Sequence, residues 1–285
     1  MNINLKKTAN NISYDYKKNN FNIHYYYWFA SSCKLDNLRC KLKKILSIDF
    51  KNDENSEIIN DNRNLLIHYS QNKKMDIKKD IFIKKFNLYK KYDKLRFRFL
   101  SSKAIRSLKI AVVLNKIGIN TPKPIAVFDS RNITNKLISS YYITEFIDFD
   151  YNLLDIIRDD NHPLRSEVIN LLPYIANDVR KMHDAGIIHN DFHAGNILCK
   201  NIKENPQFYY IDLNRARIKN NLSWKKRMKD LARLDLKEKE KQIFLKNYSP
   251  KHWKRLLKIM KKKRRRRRKF VRLKKKIRNF FNIKK

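Results

Sequence analysis

Glycine is scarce in this chain of 285 residues, which contains only Gly118, Gly186 and Gly195. Backbone loops that wrap phosphate groups depend on closely spaced glycines, as in the Gly-x-Gly-x-x-Gly and Walker patterns. No glycine-rich loop of this kind is therefore visible in the sequence. The isolated Gly118 and Gly186 are instead placed to end helices.

Cysteine is equally rare, and its positions lack the spacing of metal ligands. The three cysteines are Cys33, Cys40 and Cys199. An odd number without a paired pattern indicates free thiols, which are typical of a reducing compartment. We therefore expect the protein to work in the cytoplasm.

Long apolar runs are also missing. The first twenty residues are polar and contain no continuous apolar segment, so we predict no signal peptide. No stretch reaches the roughly 18 uncharged apolar residues that a spanning helix needs, so we expect the chain not to cross a membrane.

Acidic residues are few: 27 Asp and Glu stand against 67 Lys and Arg, for a net charge of +40. Residues 251–285 contain 20 Lys and Arg and no acidic residue. One interpretation of this excess is attraction to a polyanion, such as nucleic acid, an acidic membrane or a phosphorylated glycolipid. The alternative is codon bias of an AT-rich genome, because Lys, Asn and Ile dominate the chain.

The hydrophobic pattern divides the chain into four segments. Residues 1–60 receive no assignment. Residues 61–147 predict a small lobe with strands at 64–69, 80–86, 125–128 and 140–147 and a helix at 101–117 that Ser101 or Ser102 can cap. Residues 148–250 are mainly helical, and residues 251–285 form a basic tail. The fold class predicted is therefore α+β.

One segment in the helical part has a clear period. Its apolar residues recur at helical spacing and predict a buried face: Val168, Leu171, Leu172, Ile175, Val179 and Met182. Pro173 should kink this helix or mark a late start, and Gly186 should end it. Residues 197–199 and 208–211 then predict a β-hairpin.

Between that helix and the hairpin lies the segment His189-Asn190-Asp191-Phe192-His193-Ala194-Gly195-Asn196, and Asp212 follows the second hairpin strand. Phosphoryl transfer needs a positioned nucleophile and neutralised phosphate charge. Asp191 can accept a hydroxyl proton, while Asn196 and Asp212 offer the hard oxygen ligands that Mg²⁺ prefers. His189 would brace the loop. The order of these elements predicts an ATP- and Mg²⁺-dependent phosphotransferase.

Two simpler interpretations compete with this one. An isolated Asp-x-x-x-x-Asn segment usually marks a solvated turn. Alternatively, His183, His189 and His193 could bind Zn²⁺ together with Asp191. Both leave the hairpin and Asp212 as coincidences, so we favour the phosphotransferase.

Candidate nucleotide-binding residues lie upstream. Lys84, in the strand at 80–86, is placed to hold the α- and β-phosphates, with Lys85 as the exposed alternative. The segment 142–147 lies where a linker between two lobes should run. Its backbone, at Glu145 and Ile147, is a candidate for hydrogen bonds to adenine.

Several of these segments resemble the lipopolysaccharide kinase (Kdo/WaaP) family. They are residues 102–107, the run Gly-Ile-Asn-Thr-Pro-Lys-Pro at 118–124, residues 182–191, Gly-Asn-Ile-Leu at 195–198 and Ile-Asp-Leu-Asn-Arg at 211–215. The likeness covers roughly residues 80–250. It implies a two-lobed protein-kinase-like fold and a cytoplasmic enzyme at the inner membrane of a Gram-negative bacterium. Such enzymes use ATP to phosphorylate a sugar hydroxyl, of 3-deoxy-D-manno-octulosonic acid (Kdo) or heptose, on the lipid A–core glycolipid.

The chain departs from the family pattern at one charged position. No Asp or Glu lies between Asp93 and Asp129, so the helix at 101–117 cannot supply a glutamate partner for Lys84, and Ser107 stands where many members have that glutamate. We therefore expect Lys84 to be mobile without nucleotide. Because of this departure, a polyanion-binding pseudokinase stays an alternative, as does a protein kinase with the same residues.

The basic tail has two parts. Residues 261–269 are nine consecutive bases, which we expect to be too self-repulsive to form a packed helix by themselves. The apolar residues that follow share one helical face: Phe270, Leu273, Ile277, Phe280 and Phe281. Such a helix suits an anionic membrane surface. Nucleic acid is a less favoured partner, a drifted terminus without a role is a third interpretation, and the sequence gives no oligomeric state.

Overall fold

The computed structural model describes residues 15–18, 24–29, 49–71, 79–88 and 96–280, with the backbone alone at 15–18, 24–29 and Arg278. The chain divides into two compact units. The first comprises residues 1–148 and 211–216, and the second comprises 149–210 and 217–285. Cys33, Cys40 and Phe281 lie outside the described residues.

The first unit is built on an antiparallel sheet of seven strands. The strands are β1 (Asp15–Lys18), β2 (His24–Phe29), β3 (Ser56–Asn60), β4 (Asn64–Tyr69), β5 (Ile81–Phe86), β6 (Pro124–Arg131) and β7 (Leu137–Glu145). Their order across the sheet is β1-β2-β6-β7-β5-β4-β3. Strands β1 and β2 belong to the segment that sequence reasoning left unassigned. β2 pairs with β6 from His24 to Phe29, so this segment extends the sheet.

Apolar residues cover both faces of this sheet because strand side chains alternate between faces. On one face, Ile67, Tyr69, Ile83 and Ile143 belong to a fully buried or nearly buried cluster. The other face packs against helix α1 (Lys103–Lys116). The residues of that second cluster are Phe86, Ala104, Leu108, Val127 and Tyr142.

Helix α1 begins and ends close to the predicted bounds. Ser102 caps it, since its hydroxyl accepts a hydrogen bond from the Ile105 N–H. Gly118 follows the helix with φ +70°. Leu108 in this helix is fully buried, whereas Ile105 and Val112 are only half-buried. The buried face of α1 also includes the small residues Ala104, Ser107 and Ala111.

The second unit contains α2 (Leu153–Arg158), α3 (Val168–Asp184), α4 (Trp224–Leu231), α5 (Glu238–Tyr248) and α6 (Trp253–Phe280). Its strands are β8 (Tyr151–Asn152), β9 (Ile187–Ile188), β10 (Ile197–Lys200), β11 (Gln207–Tyr210) and β12 (Arg217–Ile218). β10 and β11 form the predicted antiparallel hairpin. In α3, all six periodic apolar residues are buried. This helix begins well before Pro173, so the late start considered for it is wrong.

Two glycines adopt left-handed backbone conformations, but their surroundings differ. A Cβ added at Gly118, where φ is +70°, would have no atom within 4 Å, whereas at Gly186, with φ +78°, a Cβ would lie 2.1 Å from the Lys219 carbonyl oxygen. We expect Gly118→Ala to lower the free energy of unfolding by about 1–2 kcal/mol through backbone strain alone. Gly186→Ala should lower it by a clearly larger amount. Urea unfolding of both variants checks this, and equal losses would contradict it.

The nine-base segment is helical, and it is so as part of a longer helix that begins before it. Helix α6 runs unbroken from Trp253 to Phe280. Its first turns are anchored by the buried Leu256, Leu257 and Met260. Within the basic run, Lys261 pairs with Glu238, and Arg264 pairs with Asp235 and donates to the Leu234 carbonyl oxygen at 2.9 Å. Lys and Arg are good helix formers, so the helix propagates from this anchor.

Within the described residues, no helix is both long enough and apolar enough to span a lipid bilayer.

The remaining described cysteine, Cys199, lies buried in β10. Burial, and then the nearby Asp150 carboxylate, raise the pKa of its thiol to about 12. A thiol of this kind stays protonated near neutral pH and packs as a small apolar side chain.

Candidate active site

The predicted site residues are divided between the two units. Asp191, Asn196 and His189 lie in the second unit, in and beside the loop between β9 and β10. Lys84, Glu145, Ile147 and Asp212 lie in the first unit.

The backbone of the loop at 189–196 is fastened to a buried aspartate of α4. The N–H groups of His189 and Asn190 donate to the two carboxylate oxygens of Asp230, each at 2.8 Å. The Asp230 side chain is 1% exposed. Asn190 has φ +64°, a conformation that asparagine tolerates better than most residues. One carboxylate thus fixes the turn directly before Asp191.

A second layer of side chains supports Asp230. The His183 ring lies between the Tyr248 hydroxyl, at 2.8 Å from Nδ1, and the Asp230 carboxylate, at 3.5 Å from Nε2. Burial raises the pKa of Tyr248 to about 12, which keeps its hydroxyl neutral. His183 and Tyr248 are both buried. His183 of α3 and Tyr248 of α5 thereby support Asp230, the side chain to which the loop backbone is bonded.

Bonds inside the loop set the positions of its functional side chains. The His189 ring accepts a hydrogen bond from the Asp191 N–H at 3.3 Å. The Asn196 amide nitrogen donates to the Asp191 carbonyl oxygen at 2.9 Å. This bond fixes the amide with its nitrogen toward the loop, so that its oxygen is the end left for a cation.

The Asp191 carboxylate forms an ion pair with Arg233. The contact joins Asp191 Oδ1 and Arg233 Nη1. Arg233 lies in the turn after α4, and its N–H donates to the Asp230 carbonyl oxygen at 3.2 Å. The residue proposed to handle the acceptor proton therefore has a cation directly against it.

In the first unit, Lys84 pairs with Asp212. Its ammonium nitrogen lies 2.6 Å from Asp212 Oδ1, with the two side chains 14% and 29% exposed. The expectation that Lys84 would be mobile without nucleotide is therefore wrong. No glutamate of the helix is available to Lys84, and the carboxylate that it contacts is that of Asp212. Ser107 does not substitute, since its hydroxyl donates to the Lys103 carbonyl oxygen one turn earlier.

Strand alternation separates Lys84 from the alternative Lys85. Lys84 shares a strand face with Phe86, and its ammonium group lies 5.3 Å from the Phe86 ring centre. Lys85 projects to the opposite face, where its ammonium group lies 5.6 Å from the Tyr141 ring centre. The contact with Asp212 therefore favours Lys84 as the functional lysine.

Asp212 is held in an uncommon conformation at the start of a short 3₁₀ turn, Leu213–Arg215, that packs against α1. Its φ is +58°, and its Oδ1 accepts a hydrogen bond from the Asn214 side chain at 2.5 Å. Left-handed backbone at a non-glycine residue carries strain and recurs at functional sites. The carboxylate is thus positioned by both backbone and side-chain contacts.

The predicted adenine-binding segment continues from β7. The Glu145 N–H donates to the Lys123 carbonyl oxygen and the Phe146 N–H donates to the Asp80 carbonyl oxygen, both at 3.0 Å. The Phe146 ring stacks on His68, with ring centres 3.9 Å apart. These contacts fix the chain on either side of Glu145. Ile147, two residues further, is half-buried.

Each unit contains one predicted oxygen ligand of a type that magnesium binds. Asp212 supplies a carboxylate and Asn196 an amide oxygen, which are hard ligands that Mg²⁺ binds well, usually together with substrate phosphates. Across the described part of the chain, no three or more His, Cys, Asp or Glu side chains are grouped so that they could hold a metal ion. The alternative zinc ligand His183 is engaged by Tyr248 and Asp230.

Asp212→Asn should weaken Mg²⁺-dependent ATP binding more than Asn196→Ala, because it removes a full negative charge while Asn196→Ala removes a neutral oxygen. For Asp212→Asn we expect a loss of about tenfold or more, comparable to the loss of one charge-assisted contact. Calorimetric titration of ATP at several Mg²⁺ concentrations measures this. Equal Mg²⁺ dependence in both variants and the unaltered protein would remove Asp212 from the metal site.

The α+β fold, the His-x-Asp-x-x-x-x-Asn loop and the aspartate after the hairpin are typical of protein-kinase-like phosphotransferases. Residues 60–259 match the lipopolysaccharide kinase (Kdo/WaaP) family. The chain belongs to this family. The predicted fold class, the predicted family and the predicted ATP-dependent kinase activity are thereby confirmed.

Curated relatives carry a common name. The chain is 27% identical over 184 residues to a 3-deoxy-D-manno-octulosonic acid kinase of Actinobacillus succinogenes, which covers 60% of this chain and 70% of the relative. It is 29% identical over 178 residues to the enzyme of the same name from Mannheimia succiniciproducens, covering 60% and 69%. A solved structure of WaaP in complex with acyl carrier protein is similar in fold, with a TM-score of 0.52, 19% identity and coverage of 80% and 95%.

Sequence reasoning missed Asp230 and Arg233. Asp230 stood out only weakly, as an acidic residue that follows a run of bases and precedes the apolar Leu231. Arg233 is one of 67 basic residues and carried no distinguishing signal. Both act on a loop that lies about forty positions earlier in the chain.

Proposed function

We propose that this protein transfers the γ-phosphate of ATP to a hydroxyl group of Kdo in the lipopolysaccharide inner core. The observation that carries the proposal is the loop at 189–196, whose backbone is fastened by Asp230 so that Asp191 and Asn196 have fixed positions. The curated relatives, which bear the name of Kdo kinase, support the choice of acceptor.

Asp191 acts as the general base. The acceptor hydroxyl oxygen forms a bond to the γ-phosphorus, and the bond between that phosphorus and the β–γ bridging oxygen breaks. ADP leaves with the bridging oxygen, and the hydroxyl proton passes to the Asp191 carboxylate. The carboxylate also orients the hydroxyl, since most of the catalysis in phosphoryl transfer comes from positioning and charge stabilisation.

Lys84 is assigned to the α- and β-phosphates, and Glu145 and Ile147 to adenine through their backbone. When nucleotide binds, Lys84 exchanges the Asp212 carboxylate for phosphate oxygens. Asp212 and Asn196 are assigned to Mg²⁺. The ion, when bound, neutralises charge on the phosphates.

The direct test measures phosphate on the acceptor. Purified protein is incubated with ATP, Mg²⁺ and Kdo-bearing lipid A, and the product is analysed by mass spectrometry with fragmentation. We expect one added phosphate on Kdo, and none with the Asp191→Asn variant. Phosphate on heptose of a longer core would correct the acceptor, phosphate on protein alone would favour a protein kinase, and no transfer to any acceptor would favour a pseudokinase.

We further propose that α6 holds the enzyme against the anionic cytoplasmic face of the inner membrane. Beyond Arg264 every side chain of α6 that the structure describes is exposed. Phe270, Leu273, Ile277 and Phe280 are 48% to 83% exposed and share one helical face, with bases around them. Charge complementarity with anionic lipid and an apolar face of this width favour a membrane surface.

Replacing Phe270, Leu273, Ile277 and Phe280 by serine should reduce binding to anionic vesicles by at least about tenfold, because each apolar side chain contributes up to ~1.5–3 kcal/mol when fully buried. Sedimentation with vesicles of phosphatidylglycerol and phosphatidylethanolamine measures this.

The matched control replaces four exposed apolar residues elsewhere by serine: Phe99, Ile133, Ile138 and Ile169. It should bind vesicles as the unaltered protein does. Equal binding by the α6 variant and this control would contradict the membrane proposal. Retained binding to RNA by the α6 variant would show that its charges are intact.

A further inference from the structure

Arg233 lies directly against Asp191, the residue proposed as the general base. Its guanidinium contacts the Asp191 carboxylate directly, and the two side chains are 21% and 15% exposed. Solutes can therefore reach both groups. No role follows for this arginine from the loop motif itself, which ends at Asn196.

The turn that carries Arg233 is fixed in position. The Arg233 N–H donates to the Asp230 carbonyl oxygen at 3.2 Å, and the Leu234 N–H donates to the Leu231 carbonyl oxygen at 3.0 Å. Leu231 and Leu234 are fully buried. Since Asp230 also holds the loop backbone before Asp191, the arginine and the aspartate are both positioned from residues 230–234, the end of α4 and the turn that follows it.

An arginine paired with a general base should hinder the reaction. The guanidinium competes with the acceptor hydroxyl for the same carboxylate oxygens, so the base is fully available only when the arginine has another anionic partner. The planar guanidinium matches the geometry of a carboxylate closely and binds it more strongly than a neutral group. Kdo is an acid and supplies such a carboxylate, whereas a neutral sugar such as heptose does not.

We propose that Arg233 binds the carboxylate of the acceptor sugar and so makes the enzyme selective for an acidic sugar over a neutral one. In this arrangement the acceptor carboxylate replaces Asp191 as the ion-pair partner of the Arg233 guanidinium. The Asp191 carboxylate then becomes available for the hydroxyl of the same sugar. The inference rests on the proposed function. Arg233 is assigned to the acceptor rather than to ATP because it contacts the residue that handles the acceptor hydroxyl, while Lys84 is the cation suited to the phosphates.

The test compares Kdo-bearing lipid A with the same acceptor carrying its Kdo carboxyl as a methyl ester. For the unaltered protein, esterification should lower kcat/KM by about ten- to hundredfold, the range expected for loss of one charge-assisted hydrogen-bonded pair. Arg233→Gln should show a loss of similar size on the acid and little further loss on the ester. Its KM for ATP should stay unchanged, and Arg233→Lys should restore part of the selectivity.

Arg180→Gln is the matched control. Arg180 is half-exposed and pairs with Asp184 at 3.6 Å on the surface of α3. This variant should discriminate between acid and ester as the unaltered protein does. Urea unfolding of the arginine variants shows whether they fold equally well.

The outcomes separate the inference from the proposed function. If Arg233→Gln still prefers the acid as strongly as the unaltered protein does, or if its loss appears in the KM for ATP, the carboxylate role is wrong while the kinase assignment stands. If the unaltered protein phosphorylates neither acceptor, the proposed function itself fails. Loss of discrimination confined to the Arg233 variants supports the inference.

Discussion

Asp191→Asn is expected to lower the rate of phosphoryl transfer by about 10²–10⁴-fold while ATP affinity stays within about twofold. Asparagine keeps the shape of the side chain, so the loop bonds at His189 and Asn196 can persist. It cannot accept the proton of the acceptor hydroxyl, and it loses the charge that pairs with Arg233. Single-turnover transfer and calorimetric titration of ATP measure the two effects separately.

Asp160→Asn is the control for this variant, because Asp160 is 69% exposed in the same unit. It should transfer phosphate at the unaltered rate. Wild-type turnover by Asp191→Asn would show that another group is the base. A loss of ATP affinity as large as the loss of rate would instead assign Asp191 to the nucleotide.

The second large effect is expected at Asp230. Asp230→Ala leaves the N–H groups of His189 and Asn190 without their buried acceptor. Each unsatisfied buried donor costs about 1–3 kcal/mol, so the free energy of unfolding should fall by roughly 2–6 kcal/mol. Urea unfolding measures the loss. Hydrogen exchange should show faster exchange of these two amides specifically.

The rate of phosphoryl transfer by Asp230→Ala should fall as well, because the loop that carries Asp191 loses its attachment to α4. Asp235→Asn serves as the control, since Asp235 is 69% exposed and pairs with Arg264 on the surface. Unchanged exchange at His189 and Asn190 in Asp230→Ala would mean that the loop keeps its shape through its internal bonds. Asp230 would then not be the main support of the loop.

Local features of the fold could be predicted well from sequence. The strand at 64–69, the cap at Ser102, the buried face of α3 and the hairpin at 197–210 all depend on patterns within a few residues. Such patterns act through neighbouring side chains and backbone, so they are visible in a short window. The helical state of the basic tail could not be predicted from such a local pattern. Its helix begins with buried contacts to α4 and α5, which lie outside the window.

The sequence by itself determined the order of the functional segments, and that order led to the family and to phosphoryl transfer. It also specified the residue types of the site at Lys84, Asp191, Asn196 and Asp212. Only the tertiary structure decided their partners. Lys84 pairs with Asp212 across 128 positions, and Asp230 supports His189 across 41. Partners so far apart depend on how strands and helices are arranged in space: β5 lies between β7 and β4 in the sheet, and α1 contributes no acid. In a chain with 67 basic residues, a sequence pattern cannot say which arginine reaches which carboxylate.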